Sequence, residues 1–457
     1  MTNKAEVKTG SVLDHYSAVL LFLALFILTF IGIGSAAIVA LLGLILCAAG
    51  ITQRHARVDL WIFAPLLIYN GVSMASSYAA YGSIVDGFAS TQMIIAVIYL
   101  FLGCLDNRDT HFVRTASIAW ATAIAAGGIG CFTFLALVQG AIRLEFIIKN
   151  PNALGIFLVI SWFALADECD RHGKTGGTVN MLLHRAEPIL LVGMALTLSM
   201  GSFISMAAGI VIMALDKTRR ASLRETLTYL SVILAKASLC FGVGVLMYVA
   251  ADKADAPWMC VILAVYTLLL TICWHDFENF LHARGKAVGL LSAAGVLVAT
   301  IAVIIRPSAV ETFQERLEMM RSGLSYIGDN LLLGVGPYKW RQLDFLDGGK
   351  YFDTWHIHNV FIHIGAELGV IAAAMLVVIT VRYYRRKGNP AQRAGFTAFF
   401  IHNLIDTSYF YLGIVSMLVI TAGEEEGRRT IICSGVLKML FGVFAVMFTY
   451  FLYDFLT

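Results

Sequence analysis

Charged side chains are scarce in this sequence of 457 residues. Asp, Glu, Lys and Arg make up 14% of it, while hydrophobic residues make up 59% and the mean hydropathy is +0.79. A soluble globular domain carries about 25% charged residues. The composition therefore excludes an ordinary soluble domain. The basic residues lie mostly in short loops, so the net charge of +3 gives no support for nucleic acid as a partner.

Reactive motifs are also missing. The eight cysteines form no CxxC pair, and none lies in the long loop described below, which argues against a disulfide framework. There is no metal-ligand spacing, no phosphate-binding GxxxxGK[ST] loop and no GxSxG elbow. The sequence therefore predicts no metal and no cofactor. Proline is rare as well: only Pro65 of the seven prolines lies in the interior of a predicted span, and the other six lie at span ends or in loops.

Long apolar segments follow one another from end to end instead. Runs of roughly 20 apolar residues are typical of membrane-spanning helices. They predict an all-α, polytopic helical membrane protein that forms a single domain over residues 1–457, with about 14 transmembrane helices and a range of 12 to 15. The predicted spans are 16–33, 35–50, 60–77, 89–105, 112–138, 152–166, 187–199, 202–215, 226–250, 257–274, 286–305, 358–381, 393–408, 409–423 and 431–453.

Basic residues are unequally divided between the loops. Alternate loops, together with the N-terminal segment, hold 22 of the 33 Lys and Arg residues, and the remaining loops hold nine. Cytoplasmic loops are enriched in Lys and Arg. The N-terminus is therefore predicted to lie in the cytoplasm, in a protein of the cytoplasmic (inner) membrane. Polar residues 1–15 lead directly into the spans, so we expect no cleavable signal peptide.

One predicted outside loop, residues 306–357, is long, and long loops among short ones tend to be functional. Six of the nine basic residues on that side belong to it: Arg306, Arg316, Arg321, Lys339, Arg341 and Lys350. Within it, 311–327 reads as an amphipathic helix with one apolar stripe, formed by Phe313, Leu317, Met320, Leu324 and Ile327. Arg316 and Arg321 flank this stripe. The helix can lie on the membrane surface with its arginines at phosphate level, or pack on the bundle with both arginines solvated.

The span after this loop carries polar groups. Asn359, His363 and Glu367 are spaced by four residues and share one helical face. Ionisable groups inside a membrane are costly and usually functional, although a His363–Glu367 pair that only fixes helix packing explains them equally well. His358 lies at the water boundary, where an imidazole with a usual pKa near 6.5 suits proton transfer. His356 remains an alternative base.

Two other segments place polar groups on the same side. His402 and Asp406 are four residues apart on one face of the next span, with Asp406 toward its outer end. Arg143 and Lys149 cluster near the helix that Pro151 begins, and helix capping does not explain these two cations.

This set of residues suits a substrate that lies partly in the membrane and carries phosphate. Arginine binds phosphate oxygens in a bidentate manner and stays charged. A histidine that accepts a proton from an incoming hydroxyl, beside arginines that stabilise a departing diphosphate, performs glycosyl transfer from a lipid diphosphate donor.

Four stretches resemble the O-antigen ligase and O-antigen polymerase superfamily of bacterial membrane glycosyltransferases. They are KNPNALG (149–155), RSGLSYIGDNLLLGVGPYKW (321–340), HNVFIHIGAELGVIAA (358–373) and HNLIDTSYFY (402–411), and the likeness covers roughly 140–425. The resemblance implies an undecaprenyl-diphosphate-linked glycan donor, metal-independent inverting transfer, and an active site that faces the periplasm or the cell exterior.

The resemblance also implies site residues and partners. His358 matches the catalytic histidine, and Arg143 with Arg316 or Arg321 resemble the diphosphate ligands. Additional candidates are Lys149, Arg306, Lys339, Arg341, His356, Asn359, His363, Glu367, His402 and Asp406. The expected partners are a carbohydrate acceptor, which is either a lipid-linked repeat unit or lipid A-core, membrane lipid and a chain-length regulator.

The likeness has departures, and alternatives stay open. Many members carry an arginine at the outside turn that here reads Ser199-Met200-Gly201-Ser202, so one phosphate contact comes from elsewhere or is missing. Ala372 slightly favours a polymerase of O-antigen or exopolysaccharide repeat units over a ligase. A transporter or flippase of lipid-linked sugars is the alternative of another class. The mid-span Lys236 favours it, whereas the proline distribution and the lack of an internal repeat do not.

Overall fold

The computed structural model describes residues 12–32, 35–140, 143–172, 177–305, 309–385, 389–422 and 430–457. Within them the chain forms twenty α-helices. The first ten are α1 (Val12–Ile31), α2 (Ala36–Ile51), α3 (Leu60–Tyr81), α4 (Ala89–Leu102), α5 (Asn107–Val138), α6 (Pro151–His172), α7 (Thr178–Arg185), α8 (Glu187–Leu196), α9 (Met200–Thr218) and α10 (Leu223–Asp252). The other ten are α11 (Trp258–Ile272), α12 (Trp274–Ala283), α13 (Gly285–Ile305), α14 (Ala309–Asp329), α15 (Trp340–Leu346), α16 (Val360–Leu368), α17 (Val370–Arg385), α18 (Pro390–His402), α19 (Leu412–Thr421) and α20 (Ser434–Leu456).

The helices agree with an all-α membrane protein. Six described helices are long and apolar enough to cross a membrane, namely α3, α5, α6, α9, α10 and α20. The count becomes seven if α11 and α12, which meet at an angle of 73°, form one span. Shorter apolar helices cover other predicted spans, so the total of about 14 stays a prediction. The central helix is α6. Its most apolar stretch is 89% buried, and it packs against α8, α9 and α18.

A two-stranded sheet is an addition to the all-α prediction. Strand β1 (His55–Val58) pairs antiparallel with β2 (Thr430–Cys433), with His55 opposite Cys433. Alternate residues of β1 are buried, including Ala56 and Val58, as expected for a strand with one covered face. The sheet joins two loops that the charge distribution assigns to the cytoplasm.

Helix α14 covers the segment predicted to be amphipathic, but its apolar stripe divides. Met320 and Ile327 of the stripe are partly buried against the protein. Beside them Met319 is buried, and Gly323 faces Ile357, where an added Cβ atom would lie 2.4 Å from the isoleucine Cδ1. The missing side chain therefore lets this face pack closely on the protein. The stripe residues on the other side remain exposed, and they are Phe313, Leu317 and Leu324.

The predicted span 358–381 is broken. Helix α16 begins at Val360, and α17 follows after Gly369, whose φ is +86°. A Cβ atom at Gly369 would lie 2.2 Å from the Leu332 carbonyl oxygen, so only glycine permits the loop to approach here. Because α16 begins at Val360, His358 and Asn359 belong to the long loop that the sequence predicts to lie outside. The predicted placement of Asn359 on a helical face with His363 and Glu367 is wrong, because Asn359 is the N-cap.

Candidate active site

The Asp406 carboxylate is the point at which four chain segments meet. Its Oδ2 accepts hydrogen bonds from Asn152 Nδ2 at 2.9 Å and from Arg316 Nη2 at 3.1 Å, and it lies 4.0 Å from His358 Nδ1. Its Oδ1 accepts the Thr407 backbone N–H at 2.8 Å. The Asp406 side chain is 6% exposed. A buried carboxylate needs such compensation, because an unpaired charge is costly to bury.

Arg316 reaches this carboxylate from α14. Its Nη1 donates to the Ile405 carbonyl oxygen at 2.6 Å, and its side chain is 13% exposed. Its Nε has no hydrogen-bond partner among the described residues. Because a guanidinium presents five N–H donors in a rigid fork, Arg316 retains donor capacity while it is held against Asp406.

Arg143 is held near this cluster by two hydrogen bonds. Its Nε donates to the Thr197 carbonyl oxygen at 2.9 Å, and its Nη2 donates to Asn152 Oδ1 at the same distance. Asn152 therefore links Arg143 to Asp406. Thr197 stands two residues before Ser199, the N-cap of α9, so the Arg143 guanidinium lies near the segment Ser199–Ser202, at which the arginine of many family members is absent.

His358 completes the cluster from the loop before α16. Its side chain is 19% exposed, and its Nδ1 has no hydrogen-bond partner within the described part of the chain. Burial lowers the pKa of His358 below its usual value; the Asp406 carboxylate opposes this shift and Arg316 adds to it. The imidazole is therefore neutral at neutral pH and is able to accept a proton.

His356, the alternative base, lies in an aromatic pocket. Its ring centroid is 4.0 Å from that of Phe410 and 5.0 Å from that of His363, and it is 5% exposed. Burial lowers the pKa of His356 to about 3, with a further contribution from His358. The geometry thus favours His358, which is the more accessible of the two and lies beside a carboxylate.

Glu367 and His363 hold the outside loop in place. The Glu367 carboxylate accepts the backbone N–H of Tyr338 at 2.7 Å and that of Trp340 at 3.3 Å, and it lies 3.5 Å from His363 Nε2. His363 Nδ1 accepts the Ile357 N–H at 3.3 Å. These contacts fit the structural interpretation of the pair, because both side chains bind the loop backbone that leads to His358.

Replacing Glu367 by Ala should therefore destabilise the folded protein by roughly 3 kcal/mol, because one buried and one partly buried backbone donor would lose their acceptor. The measurement is thermal unfolding of the purified protein in detergent. Glu318→Ala is the matched control, because Glu318 is exposed and, among the described residues, pairs with Lys350 alone at 3.6 Å, a type of surface pair worth about 0–1 kcal/mol. Equal shifts in the two variants would contradict the anchoring role.

His402 and Asp406 do not share a helical face, so that prediction is wrong. Helix α18 ends at His402 because Asn403 turns the chain: its Oδ1 accepts the Tyr409 N–H at 2.7 Å, and its Nδ2 donates to Ser408 Oγ. His402 is fully buried, and its Nδ1 lies 3.0 Å from the same Ser408 Oγ. Asp406 stands in the following turn, which directs it toward Arg316.

The structure does not bring the remaining candidates to Asp406. Arg321 is exposed on α14, five residues and hence about 140° around the helix from Arg316. Lys339 donates to the Ala80 carbonyl oxygen at 2.7 Å, and Arg341 lies 4.4 Å from the ring centroids of both Tyr351 and Trp355. Lys149 is exposed in a left-handed conformation with φ +57°. Arg306 lies outside the described residues. The Asn359 side-chain oxygen caps α16 instead, where it accepts hydrogen bonds from the backbone N–H groups of Phe361 and Ile362.

Asn152 belongs to this cluster but is not among the candidate site residues predicted from the sequence. It stands in the KNPNALG stretch, as the second residue of α6. Its contact with Asp406 spans 254 residues of sequence, and no local pattern indicates such a pair. The contacts of Arg143 with Thr197 and of Arg316 with Ile405 could not be predicted either, because both arginines bind backbone carbonyl groups, which every residue carries.

Residues 189–377 match the sequence model of a family described as O-Antigen ligase. The match extends from α8 into α17 and includes Arg316 and His358, while Arg143, Asn152 and Asp406 lie outside it. It confirms the resemblance to the O-antigen ligase and polymerase superfamily. Among curated proteins, none matches the chain.

Proposed function

On the premise of this family match, we propose that the protein is a glycosyltransferase of the cytoplasmic membrane that uses an undecaprenyl-diphosphate-linked glycan as donor. It transfers the glycan to a sugar hydroxyl on the outer face of the membrane and polymerises O-antigen or exopolysaccharide repeat units. The observation that carries the proposal is the Asp406 cluster, which brings Arg143, Arg316 and His358 together from three distant segments.

The charges of this cluster suit a diphosphate. Arg143 and Arg316 contribute two positive charges, and Asp406 contributes one negative charge, so the cluster carries an excess positive charge with neutral His358. Positively charged groups that are held where negative charge develops in the transition state make a large contribution to catalysis. We assign Arg143 and Arg316 to the diphosphate, with Arg143 in place of the missing family arginine; Arg321 remains a candidate from the sequence.

The reaction then proceeds as one displacement. His358 accepts the proton of the acceptor hydroxyl, whose oxygen forms the new bond to the anomeric carbon of the donor. The bond between that carbon and the diphosphate oxygen breaks, and undecaprenyl diphosphate departs with the negative charge beside the two arginines. Attack opposite the leaving group inverts the anomeric configuration. Asp406 stabilises the imidazolium, as an adjacent carboxylate favours the protonated form.

The exposed side of α14 supports access of the donor from the lipid. Phe313, Leu317 and Leu324 are 54%, 37% and 55% exposed, and they lie on the helix that carries Arg316. Such a face is suited to the acyl region of a membrane, with the arginine reaching toward phosphate. The polyprenyl chain of the donor would thus lie along α14 while its diphosphate contacts Arg316.

A ligase remains the second candidate, because the matched family is described as O-Antigen ligase. It would use the same donor and attach the glycan to lipid A-core. Transport has less support, since Lys236, the residue that favoured it, pairs with Glu187 at 2.7 Å and Glu278 at 3.3 Å.

The deciding experiment is a reconstituted assay of the purified protein with lipid-diphosphate-linked repeat units, with and without lipid A-core. We expect glycan chains to lengthen when lipid A-core is absent. Products that form only after lipid A-core is added would make the protein a ligase. Lipid-linked sugar that crosses the bilayer without any glycan product would overturn glycosyl transfer in favour of transport.

A further inference from the structure

A second group of ionisable side chains lies far from Asp406, toward the predicted cytoplasmic ends of the helices. Lys236 of α10 contacts the carboxylates of Glu187 and Glu278. Glu187 also accepts the indole N–H groups of Trp162 at 3.0 Å and Trp274 at 2.8 Å. Lys236 therefore pairs with carboxylates of two other helices, α8 and α12.

A cavity of about 190 Å³ opens onto this group. Its charged lining residues are Lys236, the buried Glu187 and Glu278, and the exposed Asp170. The two buried carboxylates thus face one buried ammonium group, so the buried lining carries one excess negative charge when its histidines are neutral. A bound cation would balance this excess. Burying charge without compensation is costly, which makes the cavity a receptive site for such an ion.

Three side chains, two of which line this cavity, have the chemistry of a metal site. His184 of α7 and His275 and Glu278 of α12 each place a ligand atom within 4.8 Å of the others. His275 and Glu278 are three residues apart and therefore adjacent on one helix face. The 73° bend between α11 and α12 turns that face toward α7, where His184 Nε2 lies 2.9 Å from Glu278 Oε2.

We propose that His184, His275 and Glu278 bind a divalent metal ion of the zinc type at the predicted cytoplasmic side, separate from the glycosyl-transfer site. Two histidines and one glutamate form a known zinc ligand set, with water in the fourth position and metal–ligand distances of about 2.0–2.2 Å. The partly exposed His275 has room to move toward the other two ligands. The ion ties the short helices α7 and α12 together beside Lys236.

The test uses the full chain without a polyhistidine tag, stripped with EDTA, exposed to zinc and desalted. Elemental analysis should find one zinc ion per chain. His275→Ala and His184→Ala should each weaken zinc binding at least about tenfold. Zinc should raise the thermal unfolding midpoint of the wild-type protein but not of His275→Ala, since a ligand that binds only the folded state stabilises it.

His282→Ala is the matched control. His282 also stands on α12 and lines the cavity, but it is not one of the three residues whose ligand atoms converge, so this variant should retain its zinc. Folded wild-type protein that keeps no zinc would overturn the proposal. Full zinc retention by folded His275→Ala, or equal loss in His282→Ala, would overturn the ligand assignment.

Discussion

His358→Ala is expected to reduce glycan transfer by about 10²- to 10⁴-fold, the contribution usual for a positioned general base. The variant should remain folded, because the imidazole is partly exposed and its Nδ1 has no hydrogen-bond partner among the described residues. The measurement is the initial rate with a lipid-diphosphate-linked donor. Elution of the variant as a single species in detergent verifies that it is folded.

His356→Phe is the matched control for this prediction. Phenylalanine has a similar shape and suits the pocket in which His356 stacks 4.0 Å from the Phe410 ring, so most activity should remain. A fully active His358→Ala, or loss of activity only in His356→Phe, would contradict the assignment of the base.

The pH profile provides an independent check of His358. A general base acts in its neutral form, so the rate falls when pH drops through its pKa. Because burial lowers the pKa of His358 below the usual value of 6.5, the wild-type rate should persist through pH 6.5 and decline only in more acidic solution. A decline that begins well above pH 6.5 would contradict this environment.

Arg316→Lys should lower kcat/KM for the donor by about 10- to 100-fold, which corresponds to about 1.4–2.7 kcal/mol, although the positive charge is retained. Arg316 contacts the Ile405 carbonyl oxygen and Asp406 through two different nitrogen atoms. A single ammonium group cannot hold both contacts and also present a planar fork to phosphate. Steady-state kinetics with varied donor concentration measure the effect.

Arg321→Lys is the matched control, because it makes the same substitution on the same helix at an exposed position. Its effect should stay within about twofold, as expected for a surface substitution. Equal losses in the two variants would contradict the distinction that the structure draws between these arginines. They would restore the sequence-based expectation that either arginine binds the diphosphate.

The class of the protein could be predicted from the sequence because it depends on local patterns. Low charge and repeated apolar runs indicate membrane helices whatever their partners are. The segment that became α14 was also predictable, since helical amphipathicity depends on residues three and four positions apart. The division of this helix into a packed and an exposed side was not predictable, because it depends on the close contact of Gly323 with Ile357, which is distant in sequence.

The ends of two helices could not be predicted from the sequence either. The predicted spans ran through Asn359 and Asp406, whereas α16 begins after Asn359 and α18 ends at His402. Both boundaries depend on side chains that bind backbone groups across the turn. An apolar pattern continues through such turns without any signal of the boundary.

By itself, the sequence determined an all-α membrane protein and the family resemblance, and it predicted a basic outer loop with His358 as the base and His356 as the alternative. Only the tertiary structure decided which residues surround that base. Asn152 and Arg316 lie 254 and 90 residues before Asp406, and they meet it because helix packing brings α6 and α14 to the same turn. Such contacts depend on how all the helices of the bundle pack together, which no short stretch of sequence encodes.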